Sequence, residues 1–408
     1  MSSMCVHQQF MPVLPIIPVI SSSQVTITIA GTAIIPARLI FQHPTISYAV
    51  VQYDPKHLGT TKVQAIKLSD RALEAGDSIR MLAMSKNETP VCIGAKVSNI
   101  LPIETLTFEP PRWRSINAEA VQLDNPTAAN YGFGVIVDEN GDAQALWLEY
   151  IKAKKTICVG GMPVRTLIPA LRALQRDEEP EPRSLKVEIH PIAIVKARQA
   201  GLGQGRCDEI QSAASSRSQL YQIKRVEALS KAQGVLQELD IVVSINGKLA
   251  MALEDFDVQF TNPSLEIVVL RDSQEHTLQV ETTESKQEVR KVVSWAGALL
   301  HAPHKTVLQQ TNTVPSSVYC ADVAFSSYSY EYGMEKGHWV THVNDVATPD
   351  IDSFEYAVNA CQDNEYVRVK VISSKARPNV LTIKTCYHYW PTRTLVKDQG
   401  AAEGWRYV

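Results

Sequence analysis

Residues 239–247 read LDIVVSING, and this stretch decides the fold because a second copy of its pattern follows later in the chain. The second copy, residues 337–345, reads GHWVTHVND and aligns with the first without a gap. Each copy is an apolar run that ends in a turn containing Asn, which predicts a strand followed by a tight turn. The period is about 100 residues, whereas solenoid repeats are about 20–50 residues long, so we predict tandem domains.

The sequence after each copy continues the match. Residues 253–258 and 351–358 each favour a short helix, and residues 265–271 and 366–372 each favour a strand. The order of strand, turn, short helix and strand suits a small α+β domain. The sheet edge of such a domain can accept an extended peptide.

The N-terminal region favours β structure. Residues 25–29 alternate between apolar and polar side chains, which is typical of a strand with one buried face. Shorter apolar runs follow at residues 33–41 and 48–53, and residues 134–137 and 145–148 flank a polar turn. Many short strands separated by turns predict a barrel or a sandwich.

A change of period marks the end of this region. Apolar residues recur there at the spacing of one face of a helix, at Val164, Leu167, Ile168, Leu171 and Leu174. Residues 177–182 then read DEEPEP, a charged and proline-rich linker. This linker is the clearest domain boundary in the chain.

The composition argues against several kinds of partner. The net charge is −3 and the sequence pI is about 6.4, so we expect no nucleic-acid partner. The 7 cysteines are scattered without a CxxC pair, so we expect no disulfide framework, no metal site and a reducing compartment. We also expect no cofactor, because Gly201-x-Gly203-x-Gly205 lacks the context of a nucleotide site. The apolar residues 10–20 are fewer than the roughly 20 needed to span a bilayer, so we predict a buried strand and no membrane association.

The repeated stretch resembles a known signature. Residues 239–247 are similar to the Gly-Asp-Ile-Ile-Leu-x-Ile-Asn-Gly string of PDZ domains in HtrA-type proteases, with Leu239 in place of the first glycine. Residues 336–345 resemble it more distantly. The N-terminal third resembles the trypsin-like domain of the same proteases. The resemblance therefore implies a protease-like barrel followed by two PDZ-like domains.

The resemblance also assigns the positions of the catalytic triad. Residues 130–137 align with the family motif Gly-Asn-Ser-Gly-Gly-Pro-Leu-Val, which places Gly132 at the nucleophile. Ser47 falls at the triad aspartate, and Pro18 falls at the triad histidine. Acyl transfer of this type requires a hydroxyl, a base and an acid that orients the base. We therefore predict that the barrel has no catalytic residue and is inactive alone. A relocated nucleophile is a weaker alternative, and so is a misaligned catalytic histidine at His43, which no acid or nucleophile accompanies.

One subgroup of the family fits the whole layout. The chain resembles the C-terminal half of the fungal nuclear HtrA-like pro-apoptotic serine proteases, in stretches that include residues 111–120, 294–298, 341–344 and 404–406. The resemblance implies the nucleus, with the cytoplasm also compatible, and a role in stress response and apoptosis. It implies that this chain is the C-terminal portion of a longer product. It also implies protein or peptide substrates, an upstream active HtrA-like protease domain as partner, and a homo-oligomer as one option.

A peptide-gripping loop is predicted at Ala200, Gly201 and Leu202. PDZ-like grooves hold a chain end with backbone amides of a glycine-containing loop. The alternative is a helix C-terminus capped by Gly201. The sequence of the second module indicates no gripping loop. A stand-alone adaptor without a protease partner is the alternative function.

These interpretations combine into one architecture. We predict a mainly β chain with α+β modules, in which an incomplete, degenerate trypsin-like β-barrel precedes two PDZ-like domains. The predicted segments are the barrel domain at 1–162, a helix and linker at 163–184, PDZ-like domains at 185–286 and 287–392, and a C-terminal tail at 393–408.

Overall fold

The structure, a computed structural model, describes most of the chain. The described residues are 25–29, 33–43, 46, 48–85, 87, 89–103, 107–112, 114, 116–152, 156–213, 219–256, 262–284, 289–398, 401 and 404–408. The interpretations of Pro18, Ser47 and the apolar segment 10–20 lie outside these residues.

A closed β-barrel follows a small three-stranded sheet in the N-terminal region. The small sheet consists of β1 (Val25–Ile29), β2 (Ala33–Gln42) and β3 (Ala49–Tyr53), and a 3-10 helix follows at Pro55–Leu58. The barrel strands are β4 (Ser78–Met84), β5 (Pro90–Pro102), β6 (Glu119–Leu123), β7 (Gly134–Val137), β8 (Ala143–Lys152) and β9 (Thr156–Pro163). They close in the order β4-β5-β6-β9-β8-β7. A second 3-10 helix, Pro126–Asn130, connects β6 to β7.

Helical structure ends this region, as the change of period predicts. A 3-10 helix at Val164–Thr166 leads into α1 (Ile168–Gln175). Leu167 and Leu171 are buried in the same cluster as Tyr48 and Leu146, so the predicted apolar face packs against both the small sheet and the barrel. The helix prediction is confirmed.

The first module is built on a six-stranded antiparallel sheet and a separate two-stranded sheet in which its first and last strands pair. Its strands are β10 (Arg183–Ser184), β11 (Val187–Ala193), β12 (Gln219–Val226), β13 (Ile241–Ile245), β14 (Lys248–Leu249), β15 (Ser264–Arg271), β16 (Gln274–Glu281) and β17 (Thr283–Glu284). Its helices are α2 (Ile194–Gln199), α3 (Gln204–Ala213) and a 3-10 helix at Leu253–Phe256. The sheet order is β11-β12-β13-β15-β16, so β11 is an edge strand.

The second module repeats this sheet and extends it. Its strands are β18 (Lys291–Trp295), β19 (Ala298–His301), β20 (Tyr319–Val323), β21 (Trp339–Val343), β22 (Val346–Ala347), β23 (Tyr366–Ile372), β24 (Pro378–Lys384), β25 (Arg393–Lys397) and β26 (Trp405–Tyr407). Its helices are α4 (Lys305–Leu308), α5 (Tyr328–Glu331) and α6 (Ile351–Asn359). The sheet order is β24-β23-β21-β20-β19-β18-β25-β26. Residues 393–408, which we predict as a tail, thus contribute two strands to this sheet.

The repeated stretch has the same backbone in both modules. Asn246 and Asn344 follow β13 and β21 with φ of 47° and 45°, and the next residues also have positive φ. The Asn246 side chain accepts a hydrogen bond from the Glu266 amide at 2.9 Å, and Asn344 accepts one from the Arg368 amide at 2.9 Å. Asn tolerates this left-handed conformation and fixes the next strand, which explains why both copies end in Asn. The predicted tandem repeat is confirmed, as is a mainly β fold with α+β modules.

Candidate functional site

The loop at the predicted nucleophile position is held by structural hydrogen bonds. Gly132 lies between the 3-10 helix Pro126–Asn130 and β7. The Asn125 side chain caps that helix by accepting from the Thr127 amide at 3.0 Å. Trp147 donates its indole N–H to the Tyr131 carbonyl at 2.8 Å. The loop therefore joins two barrel strands in a defined conformation.

The space next to Gly132 is taken by a carboxylate. A Cβ atom at Gly132 would lie 2.3 Å from Oε1 of Glu149 on β8. A serine at this position would require Glu149, an exposed and flexible side chain, to move. The base at the nucleophile of a Ser-His-Asp triad is a histidine. Gly132 itself supplies no attacking group.

His43 is a buried structural residue. It is 2% exposed, and its Nδ1 accepts a hydrogen bond from the Ile46 amide at 2.9 Å. Burial, together with the positive charges of Lys305 and Lys186, lowers its pKa from 6.5 to about 3. An imidazole with this pKa is neutral at physiological pH, and Nδ1 already has a partner. Lys186 belongs to the first module and Lys305 to the second, so His43 marks a junction of all three domains.

The predicted gripping loop forms a helix cap. The amide of Gly201 donates to the Arg198 carbonyl and that of Leu202 donates to the Ala197 carbonyl, each at 3.0 Å. This pair of bonds, with Gly201 at a φ of 106°, is the Schellman arrangement of a helix C-terminus. Both amides are thereby used, which is the alternative that the sequence left open.

In the first module β11 is an edge strand of its sheet. Such an edge can accept an extended peptide as an added strand. A residue of the barrel contacts this edge. The Asn117 side chain donates to the Val187 carbonyl at 2.8 Å and accepts from the Ile189 amide at 3.1 Å. Next to it, Arg114 forms hydrogen bonds with both carboxylate oxygens of Glu188 at 2.5 and 3.3 Å.

A second barrel contact reaches the 3-10 helix Leu253–Phe256. Phe256 packs edge-to-face on Tyr221 of β12 with ring centroids 5.4 Å apart, so this helix lies on the sheet. Arg165, just after β9, forms an ion pair with Glu254 of the helix. The barrel therefore contacts both the edge strand and the helix of the first module.

The equivalent edge in the second module is β19, and it is occupied by the preceding strand of the same chain. β18 pairs antiparallel with β19 from Val292 opposite His301 to Trp295 opposite Ala298. The turn between them uses Ala296 and Gly297 at φ of 49° and 86°. The other edge of β18 pairs with β25, so β18 is an interior strand.

Side chains lock β18 against α6. Val293 and Trp295 are fully buried, and the Trp295 ring meets Phe354 of α6 edge-to-face with centroids 6.1 Å apart. At the other end, Lys291 forms ion pairs with Asp352 and Glu355 of α6, each at 2.5 Å. β18 therefore occupies the edge of β19 and packs against α6, as an added peptide strand would.

Sequence reasoning did not predict what covers the edge of β11 or the edge of β19. The stretch 294–298 is noted above only as a family resemblance, although its Ala-Gly pair follows an apolar run and could have indicated a turn. Arg114 and Asn117 lie in another such stretch, residues 111–120, but nothing local shows what they contact.

Within the described part of the chain, no group of three His, Cys, Asp or Glu side chains is placed to hold a metal ion. Among the described residues we find no helix whose length and apolar character would allow it to cross a membrane.

Comparisons with known proteins relate most of the chain to one group. A family model described as a PDZ-like domain matches residues 288–364. The chain is 33% identical over 396 residues to the pro-apoptotic serine protease NMA111 of Phaeosphaeria nodorum, covering 94% of this chain and 38% of that protein. A PDZ domain-containing protein of Schizosaccharomyces pombe is 32% identical over 389 residues, covering 94% of this chain and 39% of its own length. The chain thus spans well under half the length of these relatives.

Solved structures give a looser likeness. A structure titled as the HtrA-type protease AlgWS227A with tripeptide matches with a TM-score of 0.41 and 18% identity, covering 64% of this chain and 81% of that one. A structure titled as AlgW with tripeptide has a TM-score of 0.42 and 17% identity.

Proposed function

Because the chain is related over 94% of its length to fungal pro-apoptotic serine proteases of the HtrA-like kind, we propose that it is a non-catalytic, regulatory half of such an endopeptidase. In this proposal it binds peptides or protein partners, works with a protease domain on another chain or segment, and acts in the nucleus in stress response and apoptosis. The expected domain boundaries at residues 162, 184, 286 and 392 remain part of the proposal.

The observation that carries the proposal is the glycine at position 132, which aligns with the family's nucleophile. Glycine has no hydroxyl, and the neighbouring side chain is the exposed carboxylate of Glu149. His43, the alternative base, has a pKa lowered by burial and keeps Nδ1 hydrogen-bonded to the backbone. The barrel therefore supplies contacts rather than chemistry.

Cleavage of a fluorogenic casein substrate by the purified chain tests this proposal. We expect no cleavage above the buffer blank and no labelling by a serine-reactive phosphonate probe. The variant Gly132→Ser should stay equally inactive, because it restores a hydroxyl without a base. Cleavage that the phosphonate abolishes would contradict the proposal and revive a relocated nucleophile.

A stand-alone adaptor is the second candidate, since β11 can serve a binding partner with or without a protease. Purification of the tagged chain from its own cells distinguishes the two candidates. Recovery of a chain with an intact protease domain supports the regulatory half, and its consistent absence supports the adaptor.

A further inference from the structure

Described residues of the connection between β5 and β6 contact both modules. Residues 103–118 form this β5–β6 connection, which is long for a link between neighbouring barrel strands. Near its end, Arg114 and Asn117 contact β11 of the first module. The connection therefore lies on the strand edge at which the first module would bind a peptide.

The hydrogen bonds of Asn117 reproduce those of an added strand. A strand that pairs with β11 must donate to its outward carbonyls and accept from its outward amides. The Asn117 side chain does both, at the Val187 carbonyl and the Ile189 amide. A peptide strand cannot use these two groups while Asn117 holds them.

Two charge pairs complete the contact. The Arg114 side chain is 2% exposed and the Glu188 side chain 13% exposed, so this ion pair is shielded from water. Burial alone would raise the pKa of Glu188, but Arg114 and Lys224 together lower it below its ordinary value. Arg165 pairs with Glu254 of the 3-10 helix Leu253–Phe256. The first module thus presents one acidic residue on its edge strand and one on its helix, and the barrel matches each with an arginine.

We propose that the barrel is an internal ligand of the first module, and that an extended peptide bearing arginine binds at β11 only by displacing the β5–β6 connection. This proposal rests on the proposed function, since it specifies how the same peptide-binding module is regulated. The competing peptide must supply a positive charge to Glu188, because removing Arg114 leaves a shielded carboxylate with only Lys224.

The effect on affinity follows from the population of the open form. A ligand that binds only an open form appears weaker by the fraction of molecules that are open. If about 10% or less of the chain is open, release of the barrel should tighten peptide binding about tenfold or more.

A labelled peptide of residues 110–119 is the probe, and fluorescence anisotropy measures its binding to the full chain. The opened variant carries Asn117→Gly, which suits the positive φ of 52° at this residue, together with Arg165→Ala. The matched control is Arg71→Ala, which removes an exposed arginine that pairs with Asp77 within the barrel. Exchange of the Ile189 amide, followed by mass spectrometry, reports barrel release without any peptide in Arg165→Ala alone, because that variant keeps the Asn117 acceptor.

We expect the opened variant to exchange the Ile189 amide faster and to bind the probe about tenfold tighter than the wild type, whereas Arg71→Ala matches the wild type. Adding Glu188→Gln to the opened variant, or Arg114→Glu to the peptide, should remove the gain. If the variant melts early, Arg165→Ala alone should show the same changes at smaller size.

Two results would overturn the inference: Ile189 exchange unchanged in Arg165→Ala alone, or faster exchange in that variant with unchanged affinity for the probe. The casein assay is independent of both. A chain that fails these binding tests but cleaves no casein would leave the non-catalytic role intact, whereas casein cleavage would remove that role whatever the peptide does.

Discussion

The two modules share one sheet and one turn, yet they protect the equivalent strand edge in different ways. In the first module, side chains from another domain cover β11, through Asn117 and Arg114. In the second module, the chain itself adds β18 to β19 and fills the space beside α6 with Trp295. An exposed strand edge invites pairing with other chains, so both solutions prevent a hazard.

The two coverings differ in how readily each can be released from its strand edge. β18 is covalently joined to β19 through a tight turn, so its effective concentration at that edge is very high. The barrel contact to β11 depends on a few polar groups from a separate domain. We infer that the second edge is permanently closed and that the first can open.

The largest expected effect tests the closed edge. Trp295→Ala should lower the free energy of unfolding by about 3–5 kcal/mol, because it removes a fully buried indole and leaves a cavity against Phe354. Urea denaturation measures the loss. Tyr389→Ala is the control, since Tyr389 is 72% exposed and should change stability by about 0.5 kcal/mol or less. A small loss at Trp295 would mean that β18 is held as loosely as the barrel.

The helix cap of the first module should give a smaller effect. Gly201→Ala places a Cβ atom 2.6 Å from the Ser273 side chain at a φ of 106°, and should cost about 1–3 kcal/mol in urea denaturation. Gly203→Ala is the matched control, because nothing lies within 4 Å of its Cβ position. Weaker probe binding by Gly201→Ala at unchanged stability would instead assign this loop to peptide gripping.

As the pH falls, the contacts around His43, where the three domains meet, should weaken before the packing of β18 does. The pKa of His43 in the folded chain is about 3, below its unfolded value of 6.5, so its contribution is complete above pH 6.5 and is lost as the pH falls towards 3. Between pH 6.5 and 5.5 the loss should be about 1 kcal/mol. His43→Asn keeps an acceptor for the Ile46 amide without titrating in this range, so it should lack this loss.

Chemical denaturation of the wild type and of His43→Asn at each pH measures the difference in their free energies of unfolding. This difference isolates His43 from Glu227. Burial raises the pKa of Glu227, so its contribution to stability changes with pH in the opposite direction. Amide exchange should rise at β11 and not at β19. Equal pH profiles for the two proteins would contradict the prediction.

The smallest effect is expected at the ion pairs of β18. Lys291 contacts Asp352 and Glu355 near the surface, and exposed pairs contribute little. Lys291→Met should therefore change the urea midpoint by the equivalent of about 1 kcal/mol or less. A loss as large as that of Trp295→Ala would show that charge, rather than the buried indole, keeps β18 in place.

Local signals account for what the sequence predicted. The Asn turns after β13 and β21 and the helix α1 each follow from residue type and spacing within a few positions. Gly297 was a signal for the β18–β19 turn, but Ala296 adopts a φ of 49°, a conformation that alanine rarely takes, so residue type argued against the turn at that position. The contact of Asn117 with β11 joins distant segments of the chain, and periodicity carries no information about such a pairing. β25 and β26 were missed for the same reason.

The β5–β6 connection also meets the second module, and this gives the barrel a further role. The Phe108 amide donates to the Gln310 side chain at 2.7 Å, Gln310 donates in turn to the Arg112 carbonyl at 2.8 Å, and Glu109 pairs with Lys375 at 3.4 Å. Residues 108, 109 and 112 therefore hold the second module, whereas Arg114 and Asn117 hold the first. One connection of the barrel thus serves as the meeting point of both modules.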